Sequence, residues 1–164
     1  MNKQDTLNGV QSQIGAFDNK ASVLLSIVGI IFAFSLSFLD VFNEDYFACK
    51  TKCYKTTFSV LFILFVITTI ASILCFIMVI IPRKHKGDKL YPNYYRDIVK
   101  MNLDELDAKI KSTEKEDEEN FILEQISINS KICMTKHIWL IIGIIFMLSF
   151  LAFITALTIL NVLG

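Results

Sequence analysis

Residues 17–34, FDNKASVLLSIVGIIFAF, decide the fold class, because a long apolar run begins directly behind three polar residues. A helix crosses a bilayer with about 20 mostly apolar residues. Continued to Leu39, the run that starts at Ala21 reaches that length. The chain is therefore expected to enter a membrane here, with Asp18 and Lys20 at the membrane surface.

The composition of the whole chain also indicates an integral membrane protein. Its 164 residues are 54% hydrophobic, and the mean hydropathy is +0.53. A soluble domain of this length does not usually bury so much apolar surface, so the surplus is expected to face lipid. Two further segments, 58–81 and 138–162, are also long and apolar enough to span. The sequence therefore predicts an all-α protein with three transmembrane helices.

The chain is predicted to form a single membrane domain, residues 1–164, divided into six segments. They are a cytoplasmic amphipathic helix (1–20), a first span (21–39), an external loop (40–57), a second span (58–81), a cytoplasmic helical segment (82–137) and a third span (138–162). The helical extensions between the second and third spans would form a layer beside the membrane.

The positive charges predict the orientation of the spans. Of the 16 Lys and Arg residues, two precede the first span, three lie between the first and second, and eleven lie between the second and third. The amino terminus and the central segment share one side, and the positive-inside rule makes that side cytoplasmic. The carboxyl terminus is then outside. Because the formal net charge is +0, bulk charge does not indicate a nucleic-acid partner.

Two stripes of residues in the first helix predict packing against other helices. Leu7, Val10, Ile14, Phe17 and Ala21 recur at spacings of three and four, so one helix is expected to run from the amino-terminal segment into the span. Small side chains that let another backbone approach form a second face. They are Ser22, Ser26, Gly29 and Ala33. Both stripes together are predicted to hold a homo-oligomer, although small residues are also common in spans without such a role.

The charges at the start of the first span are expected to have different roles. In a continuous helix Asp18 cannot be an N-cap, because a cap residue lies outside its helix. It lies one turn from Ile14 and Ser22, beside the packing stripe, whereas Lys20 faces elsewhere and can reach the headgroups. Asp18 is predicted to be a latch that pairs with a polar group on a neighbouring helix. The candidate partners by depth are Asn129, Lys131 and Lys136. The alternative is a solvated carboxylate at the membrane surface.

The segment behind the second span contains the candidate ligand-binding residues. Pro82 ends the second helix, and RKHKGDKLYPNYYR follows at 83–96. Its basic side chains suit a phosphate and its tyrosines suit stacking on a base. The candidates are Arg83, Lys84, Lys86, Tyr94, Tyr95 and Arg96. Cytoplasmic flanks of spans are also rich in basic and Tyr residues without binding any ligand, which leaves that alternative open.

Local signals place two further helices in the central segment. Asn102 and Glu105 have the spacing of a capping box, which predicts a helix from about Leu103. From about Glu118 the apolar spacing predicts a helix that runs into the third span. The highly charged stretch at 111–120 between them is expected to be solvated.

Several function classes are disfavoured by what the spans and loops contain. The interiors of the predicted spans have no Asp, Glu, Lys, Arg or His, whereas ion-coupled transporters normally need an ionisable group there. Phosphate loops, nucleophile elbows and paired zinc ligands are missing from the sequence, so we expect neither an enzyme nor a metal or cofactor site. Cys49 and Cys53 lie in the external loop and either form a disulfide or remain free thiols.

The order of the motifs resembles the transmembrane effectors of Pycsar, a bacterial antiphage system. FDNKASVLL at 17–25 is similar to the D-x-K-A-S-x-L-L entry of their first span, and the second span ends in Pro as theirs does. QISINSKI at 125–132, with Lys136 behind it, is similar to their Q-I-x-x-N-[AS]-K-I stretch before the last span. The resemblance covers most of the chain.

This resemblance implies a multi-pass effector in the bacterial inner membrane. Such an effector responds to a cyclic pyrimidine mononucleotide, cyclic CMP or cyclic UMP, which a partner cyclase makes after phage infection. It then impairs the membrane and causes abortive infection. Two alternatives remain from the sequence: a structural membrane anchor or scaffold subunit, and an effector of another nucleotide-signalling defence system.

Overall fold

A computed structural model of the chain describes residues 2–36, 52–82, 99, 102–112 and 115–163. Four α-helices account for almost all of them. In chain order they are α1 (Lys3–Ser35), α2 (Lys52–Ile80), α3 (Leu103–Ser112) and α4 (Lys115–Leu163). The described residues contain no strand, and the predicted all-α class is confirmed.

Three of the helices are long and apolar enough to cross a membrane, which confirms the predicted number of spans. They are α1, the part of α2 from Tyr54 to Ile80 and the part of α4 from Ile122 to Leu160. The orientation of these helices and the segment boundaries given above remain predictions.

The helix ends follow from local sequence. α1 is continuous over 33 residues, as the stripe from Leu7 to Ala21 predicts. α2 ends at Ile80, two residues before Pro82. α4 begins at Lys115, three residues before the predicted start at Glu118. The helix therefore includes part of the charged stretch at 111–120.

The start of α3 has one arm of the predicted capping box. The backbone N–H of Asn102 donates to Oε2 of Glu105 at 3.3 Å, as a capping box requires. The Asn102 side chain accepts from the N–H of Leu103 at 2.9 Å instead of reaching one turn ahead. The backbone carbonyl of Asn102 accepts the first helical hydrogen bond, from Leu106, at 2.9 Å. The predicted start at Leu103 is confirmed.

The described chain divides into two compact units. The first comprises residues 1–13 and 82–133, and the second comprises residues 14–81 and 134–164. In the first unit, the amine of Lys3 on α1 donates to the carboxylate of Glu119 on α4. Cys133 also lies 3.8 Å from the side-chain oxygen of Gln13. The amino-terminal parts of α1 and α4 therefore lie side by side.

The second unit is a three-helix bundle with an aromatic core. Phe65 of α2 is 1% exposed and lies at the centre of this core. Its ring centroid is 6.3 Å from that of Phe32 on α1 and 6.1 Å from that of Phe150 on α4, with the second pair edge to face. Such aromatic pairs add to the stabilisation from burial. Among the described residues, further fully buried apolar side chains are Ala21, Val28, Phe58, Phe76, Val79, Phe150 and Leu157.

α2 and α4 approach closely at Gly143. The hydroxyl of Ser72 on α2 donates to the Gly143 carbonyl at 3.1 Å, in a buried hydrogen bond between the helices. The ring of Phe76, one turn further along α2, occupies the space where a Cβ atom of residue 143 would lie. A glycine in one helix thus allows a bulky aromatic side chain of the next helix to lie against its backbone.

Most other hydroxyl groups in the spans bond to their own helix. The Ser22, Ser26, Ser35, Thr68, Thr69, Ser149, Thr155 and Thr158 side chains all donate to carbonyls three or four residues earlier. Back-bonding of this kind satisfies a hydroxyl without joining two helices. The Ser72 hydroxyl, in contrast, donates to another helix.

Candidate functional site

An ion pair with a buried amine joins α1 to α4 at the predicted membrane surface. The Nζ atom of Lys136 donates to Oδ1 of Asp18. The Lys136 side chain is 4% exposed, whereas the Asp18 side chain is 35% exposed. The amine is therefore enclosed by the bundle, while water can reach one side of the carboxylate.

The position of Lys136 on α4 explains its burial. Leu140, Gly143, Phe150 and Leu157 are all buried and follow Lys136 at heptad-like spacing. Residues spaced in this way lie on one face of a helix. Lys136 therefore lies on the inner face of α4, and its amine points into the bundle.

Asp18 supplies the charge that this buried amine requires. It lies one turn before Ala21, a fully buried residue of α1, so its carboxylate is at the edge of the inner face. An unpaired amine in such a place is unfavourable. Removing one partner of a fully buried ion pair costs about 3 to 5 kcal/mol, and the 35% exposure of Asp18 lowers that cost here. Lys136 was one of the three partners that the sequence indicated, and the structure places it on Asp18. The role of this pair as a latch remains a prediction.

A second contact between the same helices lies beside the ion pair. The ring centroids of Phe17 and His137 are 5.4 Å apart, and their planes are tilted by 38°. His137 itself is exposed. Two consecutive residues of α1 therefore contact two consecutive residues of α4. No spacing in the sequence indicated the contact of Phe17 with His137, because His137 stands outside the apolar spacing of α4.

The two stripes that were predicted to hold an oligomer have different environments. Leu7 and Ala21 of the first stripe are 5% and 0% exposed, so these positions already pack within the chain. The small-residue stripe, defined as Ser22, Ser26, Gly29 and Ala33, is exposed along its whole length. No atom outside the helix backbone lies within 4 Å of a Cβ added at Gly29. The small-residue stripe thus remains open to another chain, and the oligomer remains a prediction.

The exposed surface of α1 also has a bulky side. Val23, Ile27, Ile30 and Phe34 are between 42% and 77% exposed. They lie on a different face from the small-residue stripe, because a residue on a helix is rotated by about 100° from its neighbour. Bulky apolar side chains are suited to lipid, whereas small ones permit close helix approach. The two exposed faces of α1 are therefore chemically distinct.

The other predicted site residues are not part of the ion pair, and some of them lie outside the described residues. Asn129 is half-buried on α4, and Lys131 is exposed on the same helix. The six ligand candidates lie outside the described residues: Arg83, Lys84, Lys86, Tyr94, Tyr95 and Arg96. Cys49 also lies outside them. The described part of the chain contains no group of three or more His, Cys, Asp or Glu residues placed to hold a metal ion.

Outside the spans, the carboxyl group of Glu119 has a perturbed pKa. Its pKa is lowered, first by the hydrogen bond from Lys3 and then by the attraction of the Lys3 charge. Both groups remain accessible to solvent, so the pair is screened and contributes modestly.

Comparison with known protein families gives one match. A family model described as the Pycsar effector protein domain matches residues 3–163. No curated protein and no solved structure matches the chain significantly. The matched region includes all three apolar helices and both residues of the ion pair.

Proposed function

The chain belongs to the Pycsar effector family, and from this premise we propose that it is a membrane effector triggered by a cyclic pyrimidine mononucleotide to impair the cell membrane. The resemblance drawn from the sequence motifs is confirmed by the family match. The chain accordingly has a role in the Pycsar antiphage system and is a multi-pass membrane protein. The match over residues 3–163 is the observation that carries the proposal.

The proposed trigger is cyclic CMP or cyclic UMP made by a partner cyclase. The basic and Tyr-rich segment at 83–96 supports a direct interaction, because it combines donors for a cyclic phosphate with rings that stack on a pyrimidine. This part of the proposal rests on sequence. The proposed contacts are those of Arg83, Lys84, Lys86 and Arg96 with the phosphate and of Tyr94 and Tyr95 with the base.

The proposed action is physical rather than enzymatic, and it requires several copies of the chain. Three helices with an aromatic core leave no room for a wide aqueous path within one bundle. The exposed small-residue stripe of α1 supports close approach of a second copy. In this proposal the amino terminus and residues 83–136 face the cytoplasm, and the protein acts in the bacterial inner membrane to cause abortive infection.

Dye release from liposomes tests the proposal. The purified chain would be reconstituted into liposomes loaded with a self-quenching dye, and cyclic CMP, cyclic UMP or cyclic AMP would be added. We expect release with one of the two pyrimidine nucleotides and none with cyclic AMP or in protein-free liposomes. An Arg83→Gln, Arg96→Gln variant should insert normally and respond only at higher nucleotide concentration, because it lacks two phosphate donors. If neither pyrimidine nucleotide causes release, the structural membrane anchor is favoured instead.

A further inference from the structure

Helix α4 contacts its two neighbours through different chemistry. Its contact with α2 at Gly143 is closely packed, whereas its contact with α1 at Lys136 is an ion pair with a partly exposed partner. We propose that the pair of Asp18 and Lys136 is the release point of the bundle, where α1 separates from α4 while α2 and α4 stay together. This inference rests on the proposed function, because it describes how the resting effector changes when it is triggered.

The contact between α2 and α4 is unfavourable to break. Ser72 and Phe76 are both 0% exposed, and one bonds to the Gly143 carbonyl while the other fills the space above its Cα atom. Neither residue carries a charge. Separating these helices would expose an aromatic ring and leave a buried hydroxyl without its acceptor, and both changes are unfavourable.

The contact between α1 and α4 is easier to exchange. The carboxylate of Asp18 is already 35% exposed, so it can be hydrated without a large rearrangement. In the neighbouring contact of Phe17 with His137, the ring centroids are 5.4 Å apart and His137 is exposed to solvent. At an aqueous boundary, a charged group that loses its partner can interact with water or with another charge instead, whereas an apolar group cannot.

The sizes of the buried side chains also indicate that α1, and not α2, is the helix that separates. In the three-helix bundle, the fully buried residues of α1 are small: Ala21, Val28 and Ser35. Those of α2 include three phenylalanines: Phe58, Phe65 and Phe76. Because apolar stabilisation scales with buried area, α1 is held less strongly by its fully buried side chains than α2 is. The ion pair accordingly contributes a larger share of what holds α1 in place.

Two distances measured in liposomes test the release point. In a chain whose four cysteines are replaced, spin labels at Asn19→Cys and Ile138→Cys report the separation of α1 and α4. Labels at Met78→Cys and Ile138→Cys report the separation of α2 and α4. All three positions are exposed, so the labels leave the core intact. Each pair would be measured alone and with Asp18→Asn, and dye release would be recorded without nucleotide.

We expect Asp18→Asn to widen the α1–α4 distance, leave the α2–α4 distance unchanged and raise basal dye release about tenfold or more. We expect the same changes in Lys136→Met, which removes the charge but fills the core with an apolar side chain of similar length. Lys20→Gln is the matched control, because it removes an exposed charge from the same turn of α1, and it should change neither distance. Asp18→Lys combined with Lys136→Asp should restore the wild-type α1–α4 distance.

The outcomes separate this inference from the proposed function. An unchanged α1–α4 distance in both Asp18→Asn and Lys136→Met would overturn the release point, as would equal widening of both distances. Wild-type liposomes that never release dye with a pyrimidine nucleotide would contradict the proposed function. Selective widening of the α1–α4 distance in the variants would still uphold the release point in that case.

Discussion

A Cβ atom added to Gly143 of α4 would lie 2.7 Å from a ring carbon of Phe76 on α2. Real Cβ atoms do not approach other atoms so closely, and Phe76 is completely buried, so its ring has little room to move. Gly143 is therefore required by the packing of two membrane helices. The hydrogen bond from Ser72 to the Gly143 carbonyl lies at the same crossing.

Replacing Gly143 with Ala should destabilise the bundle. Overpacking a filled core typically costs about 1 to 3 kcal/mol, because neighbouring side chains leave their preferred rotamers. The measurement is thermal unfolding of the detergent-solubilised protein by circular dichroism. Gly29→Ala is the matched control, since no atom beyond the local helix backbone lies within 4 Å of its Cβ position, and its midpoint should equal or exceed that of the wild type. Equal midpoints for the two variants would contradict the close crossing.

Replacing Ser72 with Ala should remove the hydrogen bond between α2 and α4. Hydrogen bonds between membrane helices contribute about 0.6 to 2 kcal/mol, so a modest fall in the unfolding midpoint is expected. Ser149→Ala is the control, because the Ser149 hydroxyl bonds to the Ile145 carbonyl of its own helix. A loss as large for Ser149→Ala as for Ser72→Ala would show that the bond between the helices is not the cause.

Gly29→Leu should weaken the oligomer and leave the fold of each chain intact. The substituted position is open in the single chain, so the larger side chain meets only a neighbouring copy. Blocking close approach along the small-residue stripe would cost on the order of a few kcal/mol of association. Native mass measurement reports the oligomer and circular dichroism reports the fold. Ile27→Leu, on the bulky face, is the control, and an unchanged oligomer in Gly29→Leu would exclude the small-residue stripe as the contact.

The contact of Lys3 with Glu119 should be lost in acid. The pKa of Glu119 is lowered in the folded chain from its ordinary value of 4.5. A carboxylate with a lowered folded pKa stabilises the fold above its ordinary pKa, and this contribution disappears as the pH falls through the lowered value. Amide hydrogen exchange at the start of α1, corrected for intrinsic rates, should increase over that range. Glu119→Gln should show faster exchange at neutral pH and no further change from this group on acidification.

The distribution of basic residues predicts that Lys111 is cytoplasmic and Lys52 is external. The test labels intact cells with a membrane-impermeant thiol reagent after the native cysteines have been replaced. Lys52→Cys should react in intact cells, whereas Lys111→Cys should react only after the cells are opened, because the positive-inside rule keeps the basic segment in the cytoplasm. The opposite labelling pattern would reverse the assigned orientation.

Several features of the fold follow from local sequence alone. The apolar stripe from Leu7 to Ala21 indicates that α1 is one continuous helix, and α2 ends two residues before Pro82. The capping pair of Asn102 and Glu105 starts α3 at Leu103. Each signal acts within one or two turns of the chain, so it can be recognised without knowing where the other helices lie. The number of spans follows similarly, because it depends on the length and polarity of each segment.

The partners across helices were decided only by the tertiary structure. Spacing placed Asn129, Lys131 and Lys136 at comparable depths to Asp18, but the rotation of α4 about its axis turns Lys136 into the bundle. The same rotation brings Gly143 beneath Phe76, a contact that no periodicity indicated. It is likewise packing within the chain that buries Leu7 and Ala21 and leaves the small-residue stripe exposed. A sequence defines the faces of each helix, whereas the joint packing of all three helices determines which faces meet.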